Sequence, residues 1–125
     1  MLSKFAKVTV AGILIAGLSG CAPSGPKSYE TIDDLVSAYV AAGQDCDWEQ
    51  NDNVEGSLAS GTCSDTSVLS LWLDSGDALN SAQNLADFAA DYDIKVKLLV
   101  GPNWLINDPD VVNLQKVLGG QIVSN

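Results

Sequence analysis

The chain has 125 residues, with six Lys+Arg against sixteen Asp+Glu and no histidine, which gives a formal charge of −10 at pH 7. A chain this acidic lacks the cations that neutralise phosphates, which argues against nucleic acid as a partner. The absence of histidine removes the Ser-His, Cys-His and histidine-metal arrangements on which most hydrolases rely.

At the N-terminus, Lys4 and Lys7 precede an apolar run from Val8 to Leu18, and Leu18-Ser19-Gly20-Cys21 follows directly. The run is too short for a bilayer span, which needs roughly 20 residues. Small residues before a cysteine suit a signal peptidase, and the thiol can receive a diacylglyceryl group. The segment resembles the lipobox of bacterial lipoproteins. That resemblance implies that residues 1–20 are a cleaved signal peptide and that the mature chain begins at lipidated Cys21. Two or more acyl chains suffice for stable attachment, so the expected location is the extracytoplasmic face of the cell membrane, held there through diacylglyceryl-Cys21. Removing residues 1–20 takes away two lysines and no acids, so the formal charge moves from −10 to −12. Such a charge repels anionic headgroups, and the attachment is therefore assigned to the lipid rather than to the protein surface. Residues 21–28, with Pro23, Gly25 and Pro26, read as a polar tether of roughly 25 Å when extended. Residues 29–125 are expected to form one domain.

With Cys21 assigned to lipid, Cys46 and Cys63 remain as a pair in an oxidising setting, and a disulfide between them is expected. Ile32, Leu35, Val36, Tyr39 and Val40 repeat at helical spacing, with Ser28 or Thr31 as N-cap and Gly43 as the stop. The segment around Ser57 to Cys63 and the run Val68 to Leu73 flank the turn Ser64-Asp65-Thr66 and predict a hairpin. A second helix is expected from about Asp77 to Tyr92. Ala82, Leu85, Ala86, Ala89 and Tyr92 form its buried stripe, while Asn80, Asn84, Asp87 and Asp91 form its wet one. Ile94 to Val100 alternates and turns through Gly101-Pro102-Asn103 into Trp104-Leu105-Ile106. The last helix is expected to be capped by Asp108, with Pro109 in its first position, Val111, Leu114, Val117 and Leu118 on its apolar face, and Gly119-Gly120 at its end. The order α-β-β-α-β-β-α predicts an α+β domain of two layers, an antiparallel sheet with helices on one face.

Cys46, Cys63, Val100-Gly101-Pro102-Asn103-Trp104 and Leu118-Gly119-Gly120 resemble features of small lipidated or secreted proteins of actinobacteria and their phages. The resemblance covers most of the domain and implies an envelope address. For a phage-encoded chain it also implies a surface lipoprotein that blocks superinfection.

No catalytic signature emerges from the rest of the chain. Ser24-Gly25-Pro26-Lys27 has the S-x-x-K spacing of penicillin-binding proteins, but it lies in the tether beside a proline and lacks the companion motifs. Paired carboxylates that hydrolyse glycans need a sugar cleft that a domain this small does not build. Asp45 to Glu55 offers oxygens at alternate positions, as a calcium loop does, yet Gln50 and Gly56 stand where an EF-hand needs glycine and glutamate. Neither a cofactor nor a metal is expected. If Leu69, Leu71 and Leu73 face the core with Ile94, Val96 and Leu98, then Val68, Trp72, Lys95, Lys97 and Leu99 share the other face. Trp72 beside Lys95, Lys97 and Leu99 is the candidate contact for a partner, an aromatic hot spot next to cations that orient an acidic protein. The chain is thus expected to be a noncatalytic module that binds a membrane-proximal envelope protein. The alternative is a small-ligand or calcium-binding lipoprotein.

Overall fold

The structure, a computed structural model, describes residues 25–125; the lipobox and Cys21 lie outside the described residues. The elements run α1 (Ile32–Ala41), β1 (Trp48–Gln50), β2 (Ala59–Cys63), β3 (Ser67–Leu71), α2 (Ser75–Asp91), β4 (Lys97–Val100), β5 (Trp104–Asn107), α3 (Val111–Leu118) and β6 (Gln121–Ser124). All six strands join one antiparallel sheet in the order β1-β2-β3-β5-β4-β6. The α+β class, the antiparallel sheet and the Cys46–Cys63 disulfide agree with the sequence reading.

Local chemistry explains where the helices begin. Thr31, in an extended conformation, accepts the amide of Asp34 at 3.1 Å and starts α1, which buries Ile32, Leu35 and Tyr39. Asp74 does the same for Asp77 at 2.9 Å, so α2 starts earlier than Asp77 and buries Ala78, Ala82, Ala86 and Ala89. A face made only of alanines lets α2 approach the sheet closely.

The helices do not share one face. Leu69 and Leu71 of β3, Leu99 of β4 and Trp104 and Ile106 of β5 pack beneath α1 and α3, with Ile32, Leu35, Tyr39, Val111 and Leu114. Leu98, Val100, Leu105 and Trp72 pack on the opposite face beneath Ala78 and Ala82 of α2. The arrangement is three layers rather than two. The cause is legible in β4, where Leu98, Leu99 and Val100 are consecutive and all buried, a pattern that requires cover on both sides of the sheet. The same register corrects the expected sharing of faces. Leu69, Ile106 and Leu99 form one row across the sheet, because β4 pairs with β5 rather than with β3. Leu99 therefore lies with Leu69, and Leu98 lies opposite. Leu73 and Ile94, expected in the core, are exposed because both fall outside the strands.

Two strands were not expected. β1 pairs Trp48 with Cys63 and forms one edge, while β6 pairs Ile122 with Leu99 and forms the other. The tether also ends sooner than residue 28. Trp104 Nε1 donates to the Lys27 carbonyl at 2.7 Å, and Asn103 exchanges two hydrogen bonds with the Tyr29 backbone at 3.1 and 2.7 Å. Residues from about Pro26 onward are thus held on the domain.

Candidate interaction surface

The structure separates the residues expected to meet a partner. Trp72 is 5% exposed; its indole N–H donates to Ser70 Oγ at 2.8 Å beneath α2. Leu99 is 0% exposed on the far face of the sheet. Neither can touch a partner in this fold, because the sheet carries a helix on each side. Lys95 and Lys97 remain exposed at the start of β4. They line a shallow groove of about 550 Å³ with Val96, Asn107, Asp108, Pro109, Ser124 and Asn125.

A buried polar cluster lies behind that groove. The hydroxyls of Tyr39 and Ser67 both donate to Asp108 Oδ2 and lie 3.0 Å from each other, while Asp108 Oδ1 accepts the Asp110 amide at 2.6 Å. Tyr39, Ser67 and Asp108 are all buried. Burial first, and then the Asp108 carboxylate, push the Tyr39 phenol up to about 12. A phenol held neutral is a poor base at ordinary pH. The cluster instead fastens α1 to β3 and to the segment before α3. Asp108 therefore is not the N-cap of α3; that position belongs to Asp110, which makes no side-chain capping bond.

The oxygens of the acidic loop are engaged in local hydrogen bonds. Trp48–Gln50 is a strand, the Asp52 carboxylate accepts the Ser60 amide at 3.2 Å, and Asn51 Oδ1 accepts the Asn53 amide at 3.1 Å. Among the described residues, no three acidic or cysteine side chains come close enough to hold a metal ion. Trp48 packs against the core beside Cys63 of the disulfide, and Trp104 is fully buried in the core.

The surface that sequence reasoning missed lies on α2. Phe88 and Tyr92 are 60% and 64% exposed, and their rings stack on each other at 4.9 Å with planes tilted by 51°. At 100° per residue, Leu85, Phe88 and Tyr92 form a lateral stripe beside the buried alanines. Ile94 extends this stripe beyond the end of the helix, where its amide bonds the Ala89 carbonyl at 2.8 Å, and Lys95 follows. Leu85 and Tyr92 were expected in the buried stripe. The face turned to the sheet is instead that of Ala78, Ala82, Ala86 and Ala89, and the larger side chains lie beside it in solvent. The signal was present in the i, i+3, i+7 spacing of Leu85, Phe88 and Tyr92, but a helix with two apolar stripes does not reveal from its own residues which one is buried.

No helix among the described residues is long and apolar enough to cross a membrane. Comparison of the chain with protein-family models, curated proteins and solved structures finds no match.

Proposed function

We infer that this protein is a noncatalytic module of the bacterial envelope, anchored by lipid on Cys21, that binds a membrane-proximal protein through the C-terminal end of α2. The observation that carries the reading is the exposed Phe88–Tyr92 pair, flanked by Leu85 and Ile94 and continued by Lys95 and Lys97. Large side chains stacked on one another in water, rather than on the core, are of the type that supplies binding hot spots. The neighbouring lysines complement an acidic partner and would chiefly speed and orient its approach.

The test is photo-crosslinking in living cells, with a photoreactive residue placed at Phe88 or, as a control, at exposed Val112 of α3. The expected result is a specific envelope protein captured from position 88 and not from position 112, and lost when Tyr92→Ser, Lys95→Glu and Lys97→Glu are added. Identical products from both positions would overturn the assignment of the surface.

A further inference from the structure

We propose that the groove between α1 and α3 rests on the bilayer and takes anionic phospholipid headgroups at Lys27 and Lys116. This rests on the lipid anchor at Cys21 proposed above, and adds an orientation and a second contact that the anchor alone does not supply.

The argument begins where the chain joins the domain. The Lys27 carbonyl is fixed by Trp104 and the Tyr29 backbone by Asn103, and Pro26 lies against Gly119, where an added Cβ would meet the proline ring at 3.3 Å. Cys21 precedes Gly25 by four residues, which span at most about 14 Å. A lipid on Cys21 thus keeps the surface around Pro26, the groove between α1 and α3 included, within reach of the headgroups.

Of the two depressions beside Pro26, this groove is the one that carries cations. The groove has a volume of about 550 Å³, a floor that includes Ala38, Ala41 and Leu118, and the exposed Val117 on its wall, with Lys27 and Lys116 also lining it. No carboxylate lines it, although sixteen acids are distributed over the chain. Each cation near an anionic surface contributes about 1 kcal/mol. The acidic remainder is repelled by the same surface, so a tethered body turns its lysine edge toward the lipid. Electrostatic repulsion, which by itself speaks against membrane contact, here selects the face that makes it.

The geometry also separates this edge from the partner surface. The N-terminus of α2, at Ser75 and Gly76, shares a depression with Pro26, and its C-terminus adjoins Lys95. Seventeen helical residues put about 25 Å between the two ends, three times a Debye length of about 8 Å at physiological salt. Lys95 and Lys97 therefore serve as internal controls.

The full-length chain, processed in a lipoprotein-forming bacterium, is reconstituted in vesicles of phosphatidylcholine with phosphatidylglycerol, in phosphatidylcholine alone, or kept in detergent. Its lysines are then modified with an amine-reactive reagent and read by peptide mass spectrometry. Lys27 and Lys116 are expected to react at least fivefold more slowly on phosphatidylglycerol vesicles than in detergent, with Lys95 and Lys97 unchanged and most of the protection lost on phosphatidylcholine alone. Equal reactivity of Lys27 and Lys116 in all three, on a chain whose N-terminal peptide carries the lipid mass, overturns this proposal alone. Equal protection on both vesicle types also overturns it, since proximity without recognition of the anion would explain that result. An N-terminal peptide without lipid overturns the anchor and this proposal together.

Discussion

At the scale of single residues, the least replaceable chemistry is the cluster of Tyr39, Ser67 and Asp108. Every buried side-chain polar atom among the described residues has a hydrogen-bond partner, and this cluster joins three buried polar side chains. Tyr39→Phe removes one donor to a buried carboxylate and should cost about 1–3 kcal/mol, read as a lower midpoint in urea. The cluster also sets an alkaline limit. The phenol pKa is raised in the fold, from its ordinary value of 10.0 to about 12, so the neutral form is what folding stabilises. Its contribution is complete below pH 10 and is lost as pH rises toward 12. Wild type should lose more stability than Tyr39→Phe over that window; parallel curves would show that folding does not shift the Tyr39 pKa. From the sequence, Asp108 before a proline reads as a cap. An aspartate that accepts the amide two residues on has the same local signature, and only the fold brings Tyr39 and Ser67 to its other oxygen.

At the scale of elements, short edge strands depend on what fastens them. β1 has three residues, and Trp48 pairs with Cys63, whose sulfur is bonded to Cys46 just upstream. Replacing both cysteines by serine frees a loop spanning a sequence separation of 17 and should cost about 3 kcal/mol. Amide exchange of Glu49 and Gln50 should accelerate more than that of β3, and uniform acceleration would show that β1 does not depend on the cross-link. The β4–β5 turn depends on a close approach instead. A Cβ on Gly101 would overlap the indole of fully buried Trp104. Gly101→Ala should therefore displace the ring and lower stability by several kcal/mol, toward the 3–5 typical of losing a large aromatic side chain, with a red shift of tryptophan emission as the second readout. The central hairpins and all three helices were legible because periodicity and turn residues agree in them. β1 and β6 were not, since Trp-Glu-Gln and Gln-Ile-Val-Ser are too short to show a period and are defined by their neighbours. The error about layers had the same origin: alternation describes a strand alone, whereas the face of Leu99 depends on β5 lying between β3 and β4.

At the scale of the whole molecule, α2 spans the body between the two proposed contact surfaces, and its last turn departs from what stability favours. A helix C-terminus attracts cations, yet the last turn of α2 has no basic residue, and Asp87 and Asp91 lie there beside the exposed Phe88 and Tyr92. The chain carries a formal charge of −10, so these carboxylates also add to self-repulsion. Local rules are commonly broken where a surface serves another purpose, and this turn adjoins the proposed partner surface. Asp91→Lys should relieve both effects, stabilising the domain by about 0.5–1 kcal/mol, or roughly 2–8 °C in Tm for a domain of this size. Asp33→Lys changes the charge equally but removes an acid from the first turn of α1, where it is favourable. Its Tm should rise less, or fall, because the dipole contribution reverses sign. Equal increases for the two variants would assign the whole effect to net charge. If Asp91→Lys raises Tm while abolishing crosslinking from position 88, the acidic turn belongs to the recognition surface and persists at the expense of stability. If crosslinking survives, the contact is confined to the aromatic stripe and the lysines that follow it.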